Sequence, residues 1–234
     1  MTDVLTLSGV HTFINQFHIL EGVDFTVPAG SITVLLGRNG AGKTTTLRTI
    51  MGMTPPSAGD VLFNGASIKS RAPYTIARLG VGYVPEHRAI FRELTVLENL
   101  RISERAKGDL DRTSDFIFRL FPDLKRLVTL RGGSLSGGQQ QMLAVARALV
   151  SDNHLLLIDE PSEGLAPVII EQLMAAIREL AADKTVLLVE QNFRVASRLA
   201  DRYVIIDDGH SVQSGLMPDL IQDEAAVQRY LGVA

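Results

Sequence analysis

The stretch GRNGAGKT, Gly37 to Thr44, holds more chemistry per residue than any other part of the chain. Gly37, Gly40 and Gly42 let successive backbone N–H groups turn inward around an anion, with Arg38, Asn39, Ala41 and the following Thr45 in the same cradle. A continuously apolar segment, ITVLLG, precedes it and a helical pattern follows, so phosphate would lie at the positive end of a new helix. Lys43 can reach β- and γ-phosphates and Thr44 can ligate Mg²⁺. A chance glycine-rich turn is the alternative, and the strand-then-helix context argues against it.

A nucleotide held this way needs a second Mg²⁺ partner at the tip of another strand. LLLIDE supplies it: four apolar residues bury the strand, Asp159 emerges at its end, and Glu160 is placed to polarise an attacking water. Taken alone, a strand ending in solvated acids would read the same way. Glu160 also favours a hydrolase over a small-molecule kinase.

A third stretch, LSGGQQQ from Leu135 to Gln141, has two readings. One is a tight turn followed by a helix cap. Alternatively, Ser136, Gly137 and Gly138 keep a helix start bare, so that an anion can approach its N–H groups.

Strands that alternate with helices must position these groups, which implies an α/β fold with a mostly parallel sheet. Short strands are expected at VLTLSGV, VDFTV, ITVLLG and GDVLFNG, the earliest forming a small antiparallel layer, with a loop from Pro55 to Gly59. The segment from about Phe91 to Gly132 is helical. Thr95 and Glu98 make a capping box there. Ile117, Leu120, Phe121 and Leu124 share one helical face, and Pro122 limits the helix. Later come strands at LLLID and TVLLVE, a helix from Pro167 to Ala182, and a turn at Asp208-Gly209. The chain divides into an α/β core, residues 1–86 and 151–234, and an inserted helical lobe, residues 87–150.

Bulk properties exclude several functions. Among 234 residues there is no cysteine, hence no disulfide or thiolate metal site. A net charge of −3 makes a nucleic-acid partner unexpected. No apolar run approaches the roughly 18–20 residues of a membrane span, and MTDVLTLSGV lacks a secretory pattern. The expected location is the cytoplasm.

A phosphate loop, then LSGGQ, then LLLIDEP, in that order along nearly the whole chain, resembles the ATP-binding cassette family. The resemblance implies a P-loop NTPase core of the RecA type, ATP and Mg²⁺ as cofactors, and two cassettes paired head to tail, identical or not. Each signature, here Ser136, Gly137, Gly138 and Gln139, would cap the γ-phosphate held by the other chain. An aromatic ahead of the phosphate loop would stack on adenine: Phe13, or else Phe17. Glu86 stands where the family commonly has glutamine and would approach water or Mg²⁺. Gln191 replaces a histidine; it can donate an amide N–H to a γ-phosphate but cannot carry charge. Ala166 stands where an aspartate is usual.

VPEHRAIF, LTVLENL, EPSEGLAP and LLVEQN resemble, more narrowly, the shorter ATP-binding subunit of branched-chain amino acid importers. Urea or amide importers, and cassette ATPases that do no transport, are the competing readings. The resemblance implies a motor on the inner face of the cell membrane, seated on transmembrane permease subunits and working indirectly with an extracellular or periplasmic solute-binding protein. Phe91, Leu94, Phe116, Phe118 and Phe121 are candidate walls of the permease-binding groove, with packing inside the lobe as the plainer role for Phe121 and Ile117.

Overall fold

A computed structural model describes residues 2–232. The chain opens with strands β1 (Asp3–Ile14) and β2 (Phe17–Pro28), then β3 (Ile32–Leu36) and helix α1 (Lys43–Ile50). Strands β4 (Ala58–Phe63) and β5 (Ala66–Ser67), helix α2 (Pro73–Arg78) and strand β6 (Val81–Val84) follow. Four helices come next: α3 (Val96–Arg101), α4 (Asp109–Leu120), α5 (Pro122–Arg126) and α6 (Gly137–Val150). The remainder is β7 (Leu155–Asp159), α7 (Pro167–Leu180), β8 (Thr185–Val189), α8 (Phe193–Leu199), the hairpin β9 (Arg202–Asp207) and β10 (His210–Leu216), then α9 (Met217–Gln222) and α10 (Glu224–Ala226).

Two sheets result. The central one has six strands in the order β10-β9-β3-β8-β7-β6, parallel except for β10. The other is antiparallel, in the order β2-β1-β4-β5. Strands β3, β7 and β8 are buried at every position, which explains their predominantly apolar sequences. Their alternate side chains feed two cores. Val34, Leu36, Leu156, Ile158, Val186 and Leu188 pack with the helices. Leu35, Leu155, Leu157, Leu187 and Val189 pack toward α1 and the antiparallel sheet.

The helical stretch is continuous with the first core, which includes Ile117, Phe121 and Leu124. The chain leaves α4 at Phe121 and restarts at Pro122, as the proline requires. Thr95 caps α3: the Glu98 amide donates to its hydroxyl at 3.2 Å and the Thr95 amide donates to the Glu98 carboxylate at 2.7 Å.

Two expectations change. The first two strands run much further than the alternation at VLTLSGV and VDFTV implied, and meet at a turn where Asn15 takes a left-handed φ of 55°. Register shifts between Leu7 and Val10, Val10 and His11, and Thr12 and Phe13 break the period-two pattern that sequence reading follows. The loop from Pro55 is also shorter, since β4 begins at Ala58.

Candidate active site

The phosphate loop joins the end of β3 to α1. Gly42 occupies the helix cap position at φ 108°, and no side chain caps α1. The first N–H groups of α1 are therefore left to whatever enters the loop. Lys43 is almost fully buried and donates to the carbonyls of Gly37 at 2.9 Å and Arg38 at 3.1 Å. Its ammonium also stands 3.7 Å from a Glu160 oxygen.

Strand β7 delivers Asp159 and Glu160. The Thr44 hydroxyl donates to Asp159 at 3.0 Å, and the Tyr83 hydroxyl donates to its other oxygen at 3.3 Å. Burial pushes the Asp159 carboxyl above the usual carboxylate range, while the bonds from Thr44 and Tyr83 oppose the shift. Burial likewise raises the Glu160 carboxyl, opposed by Lys43. Glu160 sits at φ 43°, a left-handed conformation that costs a residue with a Cβ, and its amide donates to the Val189 carbonyl at 2.9 Å.

These groups open into a cleft of about 380 Å³ lined by Asn39, Gly40, Gly42, Lys43, Thr44, Thr45, Glu86, Glu160, Glu163 and Gln191, together with Ile14 and Ile19. Backbone amides of the glycine loop, the Lys43 ammonium, carboxylates and Gln191 are brought together there. Thr44 and Asp159 offer hard oxygen donors 3.0 Å apart, a set that suits Mg²⁺ completed by phosphate and water.

Phe13 is placed differently. It does not line the cleft; its ring stacks on His18 at 4.2 Å, nearly parallel. Ile14 and Ile19 face the cleft instead, and Phe17, half exposed or more, pairs with Ile14 across the hairpin. At the register shift there, Thr12 pairs with Leu20 and Phe13 with His18, which leaves Ile19 as the extra residue on β2.

In the LSGGQ segment the helix start is capped rather than bare. The Ser136 amide donates to the Gln139 side chain at 2.9 Å, and the Gln139 amide donates to the Ser136 hydroxyl at 3.3 Å. Gly137 is exposed, but Gly138 is buried. A Cβ on Gly138 would fall 2.8 Å from Ile169 of α7. The second glycine is thus required by close helix packing within the chain, a use the sequence reading had not assigned.

Of the groove candidates, Ile117 and Phe121 are core residues. Phe116 and Phe118 pack against that core, and Leu94 is half-buried. Phe91 is 45% exposed, with the Arg147 guanidinium 4.9 Å over its ring.

Sequence reading missed Tyr83 and Glu190. Tyr83 lies near the end of β6, paired with Leu157 one strand from Asp159; burial and the Asp159 charge raise its hydroxyl pKa. A polar-tipped aromatic closing a strand was the available signal. Glu190, buried behind Gln191, accepts from the amides of Gln191 at 3.0 Å and Asn192 at 2.9 Å.

Comparison with known proteins agrees with this geometry. The family model described as "ABC transporter" matches residues 20–163. The chain is 39% identical to BraG of Pseudomonas aeruginosa, a high-affinity branched-chain amino acid transport ATP-binding protein, over 98% of this chain and all of that one. It is 33% identical to LptB of Escherichia coli, the ATP-binding protein of a lipopolysaccharide export system, over 92% of this chain and 91% of that one. A solved ATP-binding cassette in its ADP conformation, MJ1267, shares the fold with a TM-score of 0.87 at 24% identity, each chain covered completely. A phosphate loop, a strand-tip Asp-Glu pair and a glycine-started helix, joined to these matches, place the chain in the ABC transporter family as an ATP-hydrolysing subunit.

Proposed function

We propose that this chain is the motor of an importer for branched-chain or related amino acids, hydrolysing ATP in a composite site shared by two cassettes. End-to-end likeness to BraG carries the amino-acid reading. Likeness to LptB is lower, which ranks export second.

Within the cleft, Lys43 and the loop amides would hold the β- and γ-phosphates, with Thr44 and Asp159 holding Mg²⁺, which supplies charge neutralisation at the phosphates. Glu160, its proton affinity raised by burial, would orient the attacking water and accept its proton. Gln191 would donate to the γ-phosphate, and Glu86 would take part through water. Ile14 and Ile19, with Phe17 beside them, support an aliphatic seat for adenine in place of Phe13 stacking. Ser136 and Gly137 would complete the γ-phosphate site of the other cassette, whether a second copy or a paralogue. The partial exposure of Phe91 supports it as the contact with a permease subunit. No helix among the described residues is long and apolar enough to cross a membrane; the chain would be held at the inner face by those subunits, with a solute-binding protein acting from outside.

The test is transport by the chain reconstituted in liposomes with its co-purifying membrane subunits and a solute-binding protein. ATP on the cassette side should drive accumulation of labelled leucine, isoleucine or valine. Uptake of urea or amides alone would reassign the solute, and ATP-driven outward movement would overturn import.

A further inference from the structure

The loop that leaves β6 contains two consecutive residues in a conformation that side chains disfavour. Arg88 has φ 62° and Ala89 φ 46°. Such strain persists only where the surroundings hold it. Local bonds contribute, from the Arg88 amide to the Pro85 carbonyl at 2.9 Å and from the Ala89 amide to the His87 carbonyl at 2.6 Å. Two further bonds reach across to α6. Arg88 Nε donates to Gln141 Oε1 at 3.2 Å, and Arg147 donates to the Ala89 carbonyl at 2.5 Å.

The Arg88 guanidinium also lies against the first turn of α6. A Cβ on Gly137 would stand 3.2 Å from one of its terminal nitrogens and 3.7 Å from the other. The bare glycine therefore leaves the seat that the guanidinium occupies. Gln141 is buried, and its Nε2 has no partner among the described residues, so its side chain is committed through its oxygen to Arg88. Glu86, two residues before Arg88, lines the nucleotide cleft. One short loop thus lines the cleft at one end and touches the start of α6 at the other.

We propose that Arg88 is a positioning residue that locks the Glu86 loop to the first turn of α6, so that the nucleotide state at Glu86 sets the aim of Ser136 and Gly137 toward the paired cassette. The inference rests on the pairing described under Proposed function. Its chemical basis is a charged hydrogen bond to a buried acceptor, the kind whose removal costs most.

The experiment compares Arg88→Ala, Gln141→Met and the double variant. All are built on Glu160→Gln and measured on the pair that the chain forms, with itself or with its co-purifying cassette. Gln141→Met removes the acceptor and the unpartnered amide while keeping the volume. Sedimentation should show ATP-driven pairing weakened roughly tenfold by either change, with no further loss in the double variant, as expected of two ends of one contact. Nucleotide affinity of the single chain should be unchanged. Pairing unaffected by Arg88→Ala, additive losses, or parallel loss of nucleotide affinity would each overturn the inference. If Arg88→Ala does not fold, Arg88→Gln keeps the stem and removes the fork, with the same outcomes expected. Failure of the Glu160→Gln parent to pair with ATP is a separate result: it overturns the pairing reading and, with it, the inference.

Discussion

The phosphate-loop corner and the signature corner use the same device, a helix N-terminus approached through glycine, and finish it in opposite ways. At α1 the cap residue is Gly42 and no side chain takes the first amides. At α6 the cap is Ser136, and its reciprocal bonds with Gln139 close the first turn. An open helix start has donors ready for an anion; a closed one must exchange its own side chains for the ligand. The first corner leaves its donors free, as the proposed nucleotide site requires. The second is stable without a ligand, which accords with a site that acts only when another molecule is brought to it.

The largest expected effect falls on the first corner. Glu160→Gln keeps the side-chain volume and removes the base, so turnover should fall roughly 10²–10⁴-fold while ATP binding persists. Steady-state phosphate release beside a nucleotide-binding titration checks this, and turnover close to the parent's would dismiss Glu160 as the base.

The second corner should respond in pairing rather than in binding. Ser136→Arg fills the approach to the first turn of α6, and ATP-driven association should be lost while the single chain still binds ATP. Ser136→Ala is the companion: it removes the cap at a cost of about 1 kcal/mol in stability without adding bulk. If both variants abolish pairing equally, the hydroxyl matters rather than the open approach. Full ATPase activity in a strictly monomeric chain would remove the contrast between the corners altogether.

The first corner was easier to read from sequence than the second. The phosphate loop and the Asp159-Glu160 tip are each contiguous in sequence, and the strands before them are buried at every position and mostly apolar, so local pattern and tertiary role coincide. Thr95 and Glu98 were legible for the same reason. Phe13 was not, because register shifts along the β1-β2 hairpin pair it with His18, and such shifts leave little trace in alternation. Nor was the second purpose of Gly138, whose constraint comes from Ile169, thirty-one residues away. Tyr83 and Gln141 matter through contacts that only the folded chain brings together.

The smallest expected effect concerns the support behind Gln191. Glu190 follows β8 as Glu160 follows β7, but it is buried more deeply, and one of its oxygens lacks a hydrogen-bond partner among the described residues. Burial raises its carboxyl above the ordinary value of 4.5, with the amide of Asn192 among the groups that oppose the shift. A raised folded-state pKa means that the fold binds this proton more tightly than the unfolded chain does. The favourable contribution is complete below pH 4.5 and is lost as pH rises through the higher folded value. At neutral pH the ionised group therefore weighs against folding. Glu190→Gln keeps an oxygen for the Gln191 and Asn192 amides and cannot ionise. The variant should melt at a higher temperature than the parent near neutral pH, with the gap closing as pH falls toward 4.5. Thermal melts across that range check it. A variant less stable at neutral pH would mean that the carboxylate charge, and not merely its oxygen, holds the turn that presents Gln191.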